Sequence, residues 1–243
     1  MPVQILQNCK LYLAQFDLSG DVNQVALDHD VEIKEITPFG SAAKKKIAGL
    51  ENTAVKAKGF INVGLGAVEE TLWNKFAVAD QPLTICPLTG ADGEVAFSLQ
   101  SLLAQYSPGA AVGDVFGFDV TAEGSGPLVR GTLMATGAKT VTGTGTARQL
   151  GAVAAGQKLY AALHVLSKAG TSPTLDMKIQ SDDAQAFTTP IDRITFAQAT
   201  DIGAQWATPV NGPITDTWWR ASWAIGGTGG PSFTVALVVG IRS

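Results

Sequence analysis

Two histidines, His29 and His164, are the side chains of this sequence that titrate near neutrality, and general acid–base chemistry would need one of them beside a partner. His29 stands in Asp28-His29-Asp30, a run with the residue types of a metal or acid–base cluster. On an extended segment successive side chains point to opposite faces, so at most Asp28 and Asp30 share a side. A polar turn ahead of a strand is the expectation there. His164 falls on the face opposite Leu163 and Val165 of a predicted strand, which makes it a surface or inter-sheet histidine rather than a base. Cys9 and Cys86 have no His or Cys at zinc or nucleophile spacing, and two cysteines are too few for a disulfide framework.

Asp182-Asp183 follow a strand end at Ile179-Gln180-Ser181. A carboxylate pair supplies only a fraction of the roughly six to eight oxygens that calcium takes, so a capped turn is expected. Gly64-Leu65-Gly66 lacks the remaining glycine of a phosphate-cradling loop. Trp218-Trp219-Arg220 offers aromatic stacking of the kind that holds a saccharide. Alternation sends Trp219 to the core side with Trp223 and leaves Trp218 as the exposed candidate. No acid, base and nucleophile converge, so the expectation is no enzyme, no metal and no cofactor.

What positions these residues is mostly strand. The 243 residues suffice for one large or two modest domains, and two are expected. Hydrophobic residues make up 46% of the chain and charged ones 16%, against about 25% in an average soluble protein, so much of the surface is uncharged or covered by partners. The 27 glycines point to turn-rich β-structure. A net charge of −4 argues against tight binding to a polyanion and suits a surface that DNA slides past. Met1-Pro2-Val3-Gln4 has neither the basic nor the apolar region of a secretory signal, and two cysteines fit a reducing cytoplasm. The longest apolar stretch, Phe233 to Ile241, is far short of the roughly 20 residues that cross a bilayer, so no membrane anchor is expected.

The organising segment is Val31 to Val63. Val31, Ile33 and Glu35 alternate with Glu32, Lys34 and Ile36, and after a break at Thr37-Pro38-Phe39-Gly40 a second strand pattern runs from Ala54, with Val55, Ala57 and Gly59 opposite Lys56, Lys58 and Phe60. Between the strands lie roughly sixteen residues, long for a hairpin connection and therefore expected to reach a partner. Ile47 and Leu50 have no use in a purely solvated loop. The segment from Glu35 to Phe60 resembles the signature of the major tail (tail tube) proteins of long-tailed bacteriophages, with Thr37, Phe39, Gly40, Gly49, Leu50, Gly59 and Phe60 as the matching residues. The similarity runs from about Tyr12 to Thr136 and takes in Asp17-Leu18-Ser19-Gly20, Gly113-Asp114-Val115 and Arg130-Gly131.

That resemblance implies six copies in a ring whose inner wall is a continuous β-barrel. Rings would stack around a lumen holding DNA and a tape measure protein, and tail-end proteins would be further partners. Thr37, Phe39, Gly40, Lys44, Lys45, Lys46, Ile47, Gly49 and Leu50 would form the inter-subunit loop, joined by an N-terminal arm. The protein would reside in the virion after assembly in the bacterial host cytoplasm. The competing expectation is a capsid decoration or receptor- or saccharide-binding β-sandwich of a virion, with Trp218 as its contact.

One helix is expected, from Val68 through Leu72 and Phe76 to Ala79, with Glu69 and Glu70 in its first turn and Asp80-Gln81-Pro82 at its end. Leu83 to Leu88, Glu94 to about Gln105, Val112 to Thr121 and Leu128 to Thr136 follow as strands, with a break at Pro108-Gly109. Gly137 to Gly156 is small and glycine-rich and reads as a boundary, in part as an edge strand. From Lys158 on, apolar alternation recurs, divided by turns at Gly170 to Pro173, Ser181 to Pro190, Asn211-Gly212-Pro213 and Gly226 to Pro231. The expected fold is mainly β: a tail-tube-type β-sandwich or barrel with one flanking α-helix over 1–137, a linker over 138–156, and a second antiparallel β-sandwich, a decoration domain, over 157–243.

Overall fold

The computed structural model describes residues 6–64 and 66–243. The first residues of the expected N-terminal arm, and Leu65 of Gly64-Leu65-Gly66, lie outside the described residues. The strands in chain order are β1 (Lys10–Leu13), β2 (Phe16–Asp17), β3 (Val22–Glu35), β4 (Lys46–Phe60), β5 (Gln81–Cys86), β6 (Val95–Gly109), β7 (Gly117–Gly124), β8 (Val129–Lys139), β9 (Gly143–Thr144), β10 (Arg148–Gln149), β11 (Lys158–Asp182), β12 (Ile191–Thr195), β13 (Gly203–Trp206), β14 (Val210–Asn211) and β15 (Trp218–Arg242). One helix, α1 (Val68–Lys75), lies among the described residues, so the chain is mainly β as its alternation predicts.

By packing, the chain divides into two compact units, residues 6–20, 81–99 and 129–243 in the first and 21–80 and 100–128 in the second. The boundary read from the sequence, 138–156, falls inside the first unit, where β9 and β10 pair with β15.

The first unit is built on β11 and β15, which pair antiparallel from Lys158↔Arg242 to Asp182↔Trp218. β8 lies along Val239 to Phe233 on the far edge of β15, while β12, β13 and β14 line the far edge of β11. Leu159, Leu163 and Val165 from one half of β11, and Leu175, Met177 and Ile179 from the other, enter one core with Trp219, Phe233 and Leu237. The ribbon therefore doubles over itself. The expected turns at Gly170 to Pro173 and Gly226 to Pro231 are corrected: they are corners within two continuous strands, marked by register shifts at Val165/Ser167, Ala169/Thr171 and Thr171/Thr174. Positive φ at Gly170 (97°) and Gly227 (110°) bends the strands without ending them. The opposite face packs Tyr12, Cys86, Ala96, Leu133, Ala236 and Val238.

The second unit is a sheet in the order β3, β4, β7 and the Ser101–Gly109 part of β6. Val55, Ala57, Val120 and Ala122 are buried, with Phe118 beside them and Leu103 on β6, while Lys56 and Lys58 alternate outward with Asp119. Only glycine fits at position 59, because a Cβ there would come 2.1 Å from the carbonyl oxygen of Asp21 and 2.8 Å from the Phe118 ring. The helix starts as expected, with Glu69 and Glu70 in its first turn and Val68, Thr71 and Leu72 buried, but it ends sooner. Phe76 is extended and forms a bridge to Leu103, so the apolar spacing beyond Lys75 continues as irregular chain. Two strand limits also shift: β7 begins at Gly117 rather than Val112, and β6 continues through the predicted break at Pro108-Gly109.

Candidate functional site

Asp28 and His29 lie on opposite faces of β3: Asp28 takes Lys56 in an ion pair at 2.8 Å, and His29 Nδ1 is 2.8 Å from Thr53 Oγ1. The triplet belongs to a strand rather than to the turn expected before one. His164 is fully buried on the inter-sheet side. Its Nδ1–H donates to the Ala14 carbonyl at 2.6 Å, and its Nε2 accepts from Thr84 Oγ1 at 2.8 Å, with Ser98 Oγ a further 3.0 Å on. Burial lowers its pKa to about 4 and outweighs the Ala14 bond, which acts the other way. The unfolded chain, with a histidine near 6.5, therefore binds more protons than the fold between those values, and stability falls as pH drops from about 6.5 to 4. We expect about 3 kcal/mol to be lost across that window. Thermal melts at pH 7 and pH 4.5 check it, and His164→Gln is expected to flatten the slope.

Asp182 caps its own turn: Oδ1 accepts from the Ala184 N–H at 3.0 Å and Oδ2 from the Thr189 N–H at 2.9 Å. These bonds, Ala184 first, hold its pKa below the usual range, while the adjoining Asp182 carboxylate raises that of Asp183. Trp219 is buried and donates its indole N–H to the Gly151 carbonyl at 2.8 Å, as alternation predicts. Trp218 is half-buried, which corrects its expected exposure; the exposed tryptophan is Trp73 on α1, at 67%. An open cleft of about 310 Å³ beside Trp206 has its arginine and glutamine already engaged, since Arg193 binds Asp216 and Ser181, and Gln205 binds both backbone groups of Ala197. Cys86 is buried, and burial raises its thiol to about 12, the opposite of nucleophile activation.

The expected inter-subunit residues are brought together in one structure, a hairpin at the end of β3 and β4. The predicted sixteen-residue loop is shorter than expected, because β4 begins at Lys46 instead of Ala54. Glu35↔Lys46, Lys34↔Ile47 and Ile33↔Ala48 are cross-strand pairs, and a bulge places Leu50 and Gly49 opposite Glu32. Thr37, Phe39, Gly40, Lys44 and Lys45 form the tip, while Lys46, Ile47, Gly49 and Leu50 are on β4. The tip is pinned by Thr37, whose hydroxyl accepts from the Lys45 N–H at 2.9 Å and donates to Glu35 Oε1 at 3.0 Å. Gly40, at φ 85°, supplies the left-handed residue of the turn.

β7 pairs with β4 only from Ala54 to Phe60, so the hairpin beyond that point has no third strand among the described residues. Residues 28–36 and 44–52 are exposed on both faces. Ile33, Leu50 and Phe39 are 61%, 81% and 109% accessible. A two-stranded hairpin is marginal alone in water, and its ion pairs, Lys44 with Glu35 at 3.1 Å and Lys34 with Glu32, are surface pairs that contribute little. Among the described residues the edge of β3 away from β4 is also open along the strand, and the Ser107–Gly109 part of β6 carries Pro108, a residue that suits only an edge. Sequence reasoning missed the exposed Trp73, Val112, Val115 and Phe116 of the same unit. Trp73 alone gave a signal, since it falls off the Val68–Leu72 stripe of the helix.

No family model matches the sequence, and no curated protein matches it. Similar solved structures include a chain from the virion of a native gene transfer agent particle, 8% identical at a TM-score of 0.41, covering 53% of this chain and 98% of that one. A chain from the PVC sheath–tube complex of an extracellular contractile injection system in its extended state is 13% identical at 0.42, over 53% of this chain and 90% of that one. The Dit (gp 19.1) protein of SPP1, a paradigm of the hub adsorption apparatus in phages infecting Gram-positive hosts, is 10% identical at 0.40, over 98% of this chain and 100% of that one.

Proposed function

We propose that this protein is a virion structural subunit of a phage-type tail tube. Six copies form a ring by joining the open edge of β3 to the open edge of β6 in a neighbour, and rings stack through the hairpin tip around a channel for DNA and a tape measure protein. The observation that carries this reading is the hairpin of β3 and β4, which stands free on both faces and bears apolar side chains that a solitary protein would bury. The sequence resemblance from Tyr12 to Thr136 supports it. Open edges at both sides of one sheet are a heterologous pair of surfaces, and such surfaces close into rings when the rotation between copies divides a full turn. The half-buried Trp218 offers the saccharide-binding alternative little surface.

Sedimentation velocity and negative-stain imaging of the purified chain over a concentration series test this. Rings or tubes that grow with concentration are expected. A monomer that persists at high concentration overturns the reading, and binding on a glycan array by such a monomer would favour the alternative.

A further inference from the structure

We infer that the open cleft beside Trp206 is a binding site for a neutral saccharide. The cleft lies in the first unit and uses none of the strand edges or tip residues on which the tube reading depends. β12 is laddered to one half of β11, from Lys178↔Thr195 to Ser181↔Ile191, and β13 to the other half, from Ala162↔Trp206 to Val165↔Gly203. The ends of these strands and the residues that follow them line the cleft on its two sides. The Gln205 side chain crosses between the sides: its amide oxygen accepts from the Ala197 N–H and its amide nitrogen donates to the Ala197 carbonyl, each at 2.9 Å. The two sides are thus fixed before any ligand arrives, which removes an ordering cost from binding. The volume of about 310 Å³ is at the lower end of the roughly 300–1,000 Å³ of small-molecule sites.

The lining is without net charge and rich in groups that both donate and accept. Arg193 is its one ionisable residue among the described residues; Asp216 neutralises it at 2.9 Å, and its Nε–H donates to Ser181 Oγ at 2.7 Å. An anionic ligand therefore finds no free cation there. The Thr195 and Thr208 hydroxyls and the Trp206 indole N–H have no partner among the described residues. The Phe196 N–H donates to the Met177 carbonyl at 3.0 Å, so the backbone N–H and C=O of Thr195, one residue earlier, turn away from β11 onto the edge that Gln205 takes at Ala197. Hydroxyls that donate and accept suit a ligand whose own groups are hydroxyls, and an apolar ligand would leave these groups unpaired. Trp206 is half-buried, with its ring 6.2 Å from that of Tyr160, and brings an aromatic body with a polar handle to the same place. Apolar surface beside hydroxyl-binding groups is what the two kinds of face on a pyranose ring require.

Saturation-transfer NMR of the full chain with glucose, galactose, mannose and N-acetylglucosamine tests this, each sugar at about 10 mM, enough to fill a site of millimolar affinity. Transfer to at least one of the four is expected, and titration gives its affinity. Thr195→Val/Thr208→Val removes two hydroxyls at exposed positions, so its melting curve is expected to match the parent chain while affinity falls at least about tenfold. Trp206→Phe keeps an aromatic ring but loses the indole N–H, and a smaller loss of affinity is expected. Absence of transfer to all four sugars, binding that the threonine pair leaves unchanged, or binding abolished by Trp218→Ala instead overturns the site. Assembly is measured separately by sedimentation: rings or tubes without sugar binding overturn this inference alone, and sugar binding by a chain that also assembles leaves the tube reading in place.

Discussion

A chain ended at Thr136 is expected to lose its soluble fold. β8 has β15 along one side, with Ala236↔Thr136, Leu237↔Ala135 and Val238↔Leu133 in register, and Leu133, Met134 and Ala135 are fully buried there. Removing β15 strips that ladder from β8. It also uncovers two large side chains at about 1.5–3 kcal/mol each, against a total stability of about 5–15 kcal/mol. β11, which holds the His164 bonds to Ala14 and Thr84, leaves with it. Soluble yield, far-UV circular dichroism and limited proteolysis of the shortened chain measure the outcome; a cooperative melt near that of the full chain would contradict it.

The glycines of 137–156 read in the sequence as a boundary and in part as an edge strand, and β9 and β10 of this segment do pair with the edge of β15. Gly145 donates its N–H to the Ala221 carbonyl at 2.9 Å, and a Cβ on it would come 2.9 Å from the Met134 carbonyl oxygen. Gly143 lies against the Trp223 ring, whose indole N–H donates to the Val141 carbonyl. These glycines mark close approach of backbone to neighbours, which in a sequence looks the same as linker flexibility. The same ambiguity produced the false turns at Gly170 and Gly226, since a bulge and a turn draw on one set of residues and only the partner strand distinguishes them.

Period-two alternation was more legible. It placed Val55, Ala57 and Gly59 inward and Lys56 and Lys58 outward, sent Trp219 to the core, and put His164 on the face away from Leu163. Alternation reports which side a residue faces, however, and not what covers that side. Ile33 and Val55 lie on the same face of the same hairpin, but only Val55 meets a third strand. The free-standing character of the hairpin therefore came from the long, partly apolar connection between strands and from family resemblance, and never from periodicity.

Replacing residues 32–50 by Asn-Gly, so that Val31 and Glu51 close a two-residue turn, is expected to abolish tube formation while leaving the fold intact. Val31 and Glu51 are already a cross-strand pair, so the turn joins strands in their existing register. The residues removed are exposed, and none belongs to a buried core cluster of the described residues. The β4–β7 ladder from Ala54 to Phe60 stays. Melting temperature is expected to stay within about 4 °C of the parent, the shift that about 1 kcal/mol produces in a chain of this size. Tubes are expected to disappear at every concentration reached in sedimentation and negative-stain imaging. The shortened chain also separates two explanations of the exposed apolar side chains. If Ile33, Phe39 and Leu50 are merely tolerated in solvent, deleting them leaves assembly unchanged. If they wait for a second copy, their loss leaves a better-behaved monomer or an isolated ring, because the lateral edges of β3 below Val31 and of β6 remain while the connection between rings is gone.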